Sequence, residues 1–224
     1  MDMTTPTTPT EATPPGTPSG GRKRGRGADP ERTRRELVDA AFEALRQDGI
    51  AGTTARSIAA RAGCNQAAIY YHFGGIEPLL IQALQESSVR RLDRYREELG
   101  DSTDIEELLR TIEALYADDR ESGHMAVLTE LAGGIASSPQ LREGIDLATR
   151  PWLDFVEERI RMATSDLPFA ALLPAEDLAD LIFSVVVGLE LRSRVDGRED
   201  RPERLFRLAS VGAALVGRSM PPSG

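Results

Sequence analysis

The stretch Thr54 to Phe73, TARSIAARAGCNQAAIYYHF, constrains this chain more than any other segment. Two short apolar-periodic runs flank Gly63, and the small Ala59 stands four residues before it. Helices that cross at close range need a small side chain at the crossing. The turn between them needs a residue that reaches left-handed backbone without a Cβ clash. Ile58, Ala62, Cys64 and Ile69 supply an inward apolar face. The segment therefore predicts a helix-turn-helix, capped at Thr53 or Thr54, capped again at Asn65, and stopped by Gly74-Gly75.

Helical periodicity continues on both sides. Asp29 caps a first helix with Pro30 in its first turn, and Leu37, Ala40, Ala41, Ala44 and Leu45 recur at three- and four-residue spacing until Gly49. A long helix is predicted from Ile76 to Leu99, then further helices over about 104–121, 124–136, 139–164, 175–195 and 202–218. No segment alternates with period two, and Val185-Val186-Val187 lies inside a helical run. The expected fold is all-α, with about nine helices. A three-helix unit over 29–75 precedes a helical domain over 76–220. Residues 1–28, rich in Thr, Pro and Gly, are too poor in apolar side chains to offset ordering entropy.

The formal net charge is −9, which taken whole argues against a nucleic-acid partner. The distribution reverses that inference. Residues 22–73 carry ten basic and six acidic side chains, whereas 74–224 carry seventeen basic and twenty-eight acidic ones. A basic unit ahead of an acidic body leaves one end able to dock on phosphate. The arm ends in Arg22, Lys23, Arg24 and Arg26, which can reach a minor groove or its phosphates, or serve only as a solubilising tail.

Other classes find no support in the residues. There is no GxSxG, phosphate loop, HExxH or EF-hand loop, and paired acids such as Glu106-Glu107 splay apart on a helix, so no enzyme is expected. The single cysteine, Cys64, makes no CxxC site and fits a reducing cytoplasm. His124 has no second His or Cys beside it, so neither metal nor cofactor is expected. No apolar run approaches a membrane span, and the N-terminus lacks an export signal core.

On the second short helix, Asn65 and Gln66 can make bidentate bonds to adenine and the Ala67 methyl can meet a thymine methyl, with Tyr71 on the same or the adjoining face. Tyr70 and His72 suit phosphate oxygens, which fix register. Thr54 and Arg56, opening the preceding helix, can clamp the adjacent backbone with help from its N-terminal dipole. Double-stranded DNA is the expected partner.

The amphipathic first helix, the run TTARSIAARAGCNQAAIYYHFGGIEPLL and the helical remainder resemble the TetR family of transcriptional regulators. The resemblance is specific over about 30–80 and rests beyond that on length and helicity. It implies a dimer on a palindromic operator, released by a small-molecule effector, with the last two helices pairing across a two-fold axis. The sequence permits that pairing independently, through broad apolar bands that include Val185, Leu189, Leu208, Val211 and Leu215. A ligand cavity among the middle helices is likewise implied, with Tyr116, His124, Met125, Leu128, Trp152, Phe155 and Phe183 as candidate lining residues. One departure stands out: family members usually open the fourth helix with a phosphate-binding lysine, and this chain has Ile76 there. The leading expectation is a ligand-responsive repressor; an activator of the same fold and a helical protein adaptor are the alternatives.

Overall fold

The computed structural model describes residues 29–100, 105–165, 174–198 and 200–218. The basic arm with Arg22, Lys23, Arg24 and Arg26 lies outside them. Nine helices and no strand occur among the described residues: α1 (Pro30–Gly52), α2 (Ala55–Arg61), α3 (Ala67–Phe73), α4 (Ile76–Leu99), α5 (Ile105–Glu121), α6 (His124–Ala132), α7 (Pro139–Thr164), α8 (Ala175–Asp196) and α9 (Arg201–Arg218).

Local chemistry sets most boundaries. Asp29 Oδ1 accepts the Glu31 N–H at 3.2 Å and starts α1. Gly49, at φ 65° and ψ 179°, breaks the helical path, although helical hydrogen bonding resumes for one more turn to Gly52. Thr54 and Ser57 form a reciprocal capping box at α2. The longer prediction for α6, to residue 136, is corrected: α-helical geometry ends at Ala132. Gly133 and Gly134 there replace the helical ladder with tighter turns, such as Gly134 N–H to Leu131 O at 2.9 Å.

α4 is the structural axis. It packs along α7 and against α1, while α7 continues onto α8 and α5 packs on α9. One apolar cluster joins Leu37, Ala41 and Leu45 of α1, Ile58 of α2 and Ile69 of α3 to Leu79, Leu80, Ala83 and Leu84 in the first half of α4. It extends through Met125, Val127 and Leu131 of α6 to Leu141 and Ala148 of α7. A second cluster gathers Leu92, Tyr95 and Leu99 from the other half of α4 with Leu115, Trp152, Phe155, Val156 and Ala179. Thus a single helix carries the end that supports α2–α3 and the end that faces α5, α7 and α8.

Gly144 of α7 leaves room for Ile81 of α4 to lie directly against its backbone. A Cβ at that position would lie 2.5 Å from Ile81 Cγ2. Gly144→Val is expected to lower the unfolding free energy by about 1–3 kcal/mol through overpacking, measured by denaturant titration.

Candidate functional site

The first candidate site is the outer edge of α2 and α3. Ile58 and Ile69 are fully buried beneath it, and Ala59 is buried at the crossing. Gly63 sits at φ 65° with nothing within 4 Å of a Cβ placed there, so the turn needs glycine for backbone conformation alone. The Cys64 N–H donates to Ala59 O at 3.0 Å and closes the turn. Cys64 is half-buried against the core, where burial, with a lesser push from Glu36, raises its thiol pKa. Asn65 Oδ1 accepts the Ala67 N–H at 3.0 Å, which ties one possible base-reading atom into a local cap.

Thr54, Arg56, Asn65, Gln66, Ala67, Tyr70 and Tyr71 are all exposed. Tyr71 is 82% exposed, a large amphipathic ring held out on a well-anchored helix. The Tyr71 ring meets the half-buried His72 ring edge-on, with centroids 4.9 Å apart. The Thr54 hydroxyl is occupied by its capping box, which leaves the α2 N-terminus and Arg56 as the groups facing outward there. Among the described residues Arg56 enters no ion pair, whereas Arg61 is held by Gln47 at 3.0 Å and Asp48 at 2.7 Å. The unusual start of α4 is turned toward protein. Ile76 packs on the core, and Glu77 Oε1 accepts the Ser138 hydroxyl at 2.5 Å, joining the starts of α4 and α7.

The second candidate site is a cavity of about 200 Å³ bounded by α4, α5, α7 and α8. Tyr95, Leu99, Leu109, Ile112, Trp152, Phe155, Val156, Arg159, Ile160, Ala163, Thr164 and Ile182 line it. Of the seven residues expected from the sequence, Trp152 and Phe155 reach this wall. Phe183 stands behind it, its ring centroid 5.8 Å from that of Trp152. Tyr116, His124, Met125 and Leu128 are instead buried away from it: the inward faces of α5 and α6 pack on α1, α4 and α9. Tyr116 stacks on Phe206 at 5.6 Å, and burial, then Glu190, push its hydroxyl up to about 12.

Beneath the cavity lies a buried polar network that sequence reasoning missed. Arg91 Nε donates to Asp119 Oδ2 at 2.5 Å, and the Tyr95 hydroxyl donates to the same oxygen at 2.7 Å. Asp119 is only 1% exposed. Burial pushes its carboxyl up, while Arg91 and Tyr95 pull it back down. Burial also pushes the Tyr95 hydroxyl well up. His124 Nδ1 lies 2.9 Å from Ser87 Oγ, and its Nε2 faces Arg91 Nη1 at 3.4 Å. Arg91 stacks over the Tyr95 and Trp152 rings at 5.1 and 5.2 Å, so two cavity-lining rings touch the network directly. The signal was present: Arg91 falls on the apolar stripe that also holds Leu84, Ser88, Leu92, Tyr95 and Leu99, where a charge needs a buried partner.

A second polar path crosses to α1. Arg120 reaches Glu190 at 3.2 Å, Glu190 holds Arg194 at 2.9 Å, and Arg194 reaches Glu130 at 3.5 Å. Glu130 Oε2 then accepts the Ile50 N–H at 2.9 Å beside the break at Gly49. Of the expected pairing residues, Val185, Leu208 and Val211 are exposed, while Leu189 is buried on the side of α8 that faces α5 and α9. The Leu215 side chain lies outside the described residues. No described helix is long and apolar enough to cross a membrane.

Residues 37–83 match the sequence profile described as bacterial regulatory proteins, tetR family. The chain is 27% identical over 184 residues to the HTH-type transcriptional regulator CymR of Pseudomonas putida, covering 77% of this chain and 85% of that protein. A putative TetR-family transcriptional regulator from Rhodococcus sp. shares its fold at TM-score 0.67 and 24% identity, covering 81% of this chain and 98% of that one. The regulator FadR from Bacillus subtilis, in complex with stearoyl-CoA, does so at TM-score 0.68 and 18% identity, covering 80% and 96%.

His124 gives a pH signature. Burial, followed by the positive charges of Arg91, Arg94 and Arg90, holds it well below its ordinary pKa. The unfolded chain therefore binds a proton near pH 6.5 that the folded chain refuses, and folding stability falls as pH drops below that value. Relative to His124→Gln, the wild-type chain should lose up to about 1.4 kcal/mol per pH unit between pH 6.5 and 5.5, measured by urea titration.

Proposed function

Through residues 37–83 the chain belongs to the TetR family of bacterial regulatory proteins, and from that premise we propose that it is a cytoplasmic repressor. It binds a palindromic operator as a dimer and leaves it when a small molecule fills the α4–α5–α7–α8 cavity. The observation that carries the reading is the uncovered edge of α2–α3. Gln66, Ala67, Tyr70 and Tyr71 project from a helix whose opposite side is fully anchored by Ile69. That edge has the length and chemistry of a major-groove reader, with Arg56 and the α2 N-terminus beside it for phosphate. On this reading residues 29–75 form the DNA-binding unit and 76–220 the effector and pairing domain.

Dimer formation is supported by apolar side chains left uncovered on α8 and α9, including Leu181, Val185, Leu191, Val195, Leu208 and Val211. A face of this kind on two consecutive helices suits an isologous four-helix contact, which sets two α3 helices on successive grooves. That FadR was captured with stearoyl-CoA supports a small-molecule effector for the present fold.

Transmission follows the two polar paths. Tyr95 and Trp152 line the cavity and touch Arg91, so a ligand that moves either ring bears on the Arg91–Asp119 pair and hence on α4. The Glu190–Arg194–Glu130 path carries displacement of α8 to the Gly49 break in α1. A ligand that binds the wrongly spaced dimer more tightly by about 2–3 kcal/mol would weaken operator binding roughly thirty- to hundredfold.

A gel shift on the chain's own upstream region tests the reading. The wild-type protein should retard a palindromic fragment from it. Tyr71→Ala should weaken that binding at least tenfold with a melting temperature little changed, because the ring is exposed and meets its neighbour His72 rather than the core. A protein that retards no fragment of that region is not a repressor of its own locus.

A further inference from the structure

Four of the residues around the cavity carry polar side-chain atoms: Tyr95, Trp152, Arg159 and Thr164. None of them turns a polar atom toward the space. The Tyr95 hydroxyl donates to Asp119 at 2.7 Å, and the Thr164 hydroxyl donates to Ile160 O at 2.8 Å. Arg159 Nε and Nη1 and the Trp152 indole Nε1 are buried in protein, out of contact with the cavity. The Arg159 guanidinium lies over the Phe155 ring at 5.1 Å, so the part it presents to the cavity is its hydrocarbon stem. Together with Leu99, Ile112, Val156 and Ile182, these residues give the space a surface that is apolar throughout.

A hydrogen-bonding group placed here would give up its water and gain no partner, and an isolated charge would suffer most. A hydrocarbon loses no hydrogen bond on entry and gains dispersion contacts with the wall. We infer that the cavity takes an uncharged hydrocarbon about the size of one alkyl-substituted benzene ring, and rejects carboxylate and ammonium analogues of the same shape. The size follows from the volume. A protein cavity of roughly 150 Å³ lined by Leu, Ile and Phe holds benzene. This one, at about 200 Å³, has room for a short alkyl chain besides. The Tyr95, Trp152 and Phe155 rings on its wall suit edge or offset contacts with an aromatic guest. A guest pressed on Tyr95 and Trp152 bears on Arg91 through those rings without itself meeting a charge. The inference rests on the effector reading above for its regulatory meaning, but its chemistry stands on the wall alone.

The chain's only tryptophan is Trp152, so intrinsic fluorescence reports on this cavity without DNA present. Ethylbenzene, benzyl alcohol and benzylamine share one shape and differ in the terminal group; benzoate supplies the anion. All four are titrated against the full-length protein. Ethylbenzene should bind about tenfold more tightly than benzyl alcohol, whose hydroxyl would be buried unpaired, and roughly a hundredfold or more above benzylamine and benzoate. Ala163→Leu, which fills the cavity, should abolish the ethylbenzene response with helicity by circular dichroism unchanged. Ile160→Phe, a second filler from the preceding turn, should do the same. Benzoate or benzylamine binding as tightly as ethylbenzene in the wild-type protein overturns the inference, whether or not the variants fold. So does a wild-type protein that gives no response to ethylbenzene, or a response that both filled variants retain. Gel shift separates this site from the repressor reading. Ethylbenzene that binds by fluorescence but leaves operator affinity unchanged keeps the hydrocarbon site and is no inducer. A protein that retards its operator yet binds the charged analogues equally well keeps DNA binding and loses the hydrocarbon site.

Discussion

A guanidinium held at 6% exposure has to be neutralised, and the pairing of Arg91 with Asp119 decides where α4 can lie. Asp119 sits near the end of α5, immediately before the turn into α6, and His124 opens α6 against the same arginine. The pair therefore pins the middle of α4 to the α5–α6 corner. Removing either partner would leave an uncompensated buried charge, at a cost of roughly 3–5 kcal/mol. Well-packed apolar residues would satisfy the same volume more simply. The ion pair instead gives a contact whose geometry is sharp, and it lies directly under two rings of the cavity wall.

The two halves of α4 belong to different apolar clusters, one on each side of the pinned segment. The first half holds Ile58 and Ile69 of the helix-turn-helix through Leu79, Ala83 and Leu84. The second half closes the cavity through Tyr95 and Leu99. Glu77 bound to Ser138 adds a second attachment at the start of the helix, where related regulators are expected to place a cation on DNA. A packed core is stiff on this length scale, so on the proposed mechanism a change at one end of α4 would reach the other as tilt.

Much of this was legible in the residues. Gly74 ends α3 and Gly100 ends α4, both at positive φ, and Pro30 and Pro139 open α1 and α7, because each removes or permits a backbone conformation whatever the tertiary surroundings. The helix-turn-helix was legible because Ala59, Gly63 and Asn65 each answer a local steric or hydrogen-bonding demand. The cavity was not. Periodicity tells which face of a helix is inward but not whether the opposing face fills the space, so Met125 and Leu128 read the same as Phe155. Arg159 escaped notice because a charge near a helix end usually faces water, and only the assembled fold shows its Nε and Nη1 buried without partners. The early stop of α6 was missed because two glycines inside a periodic run weaken a helix without always ending it.

The claim that most of the account depends on is that α4 sets the spacing of two α3 helices across a dimer. Spin labels on cysteines placed at Ala60, exposed on α2 and outside the residues assigned to DNA, in a chain whose Cys64 is replaced by alanine, follow that spacing in solution. With operator DNA present the account predicts one narrow distance distribution, set by two α3 helices on successive major grooves, that is broader or shifted without DNA. An absence of dipolar coupling at any concentration, or a distribution indifferent to DNA, would contradict it.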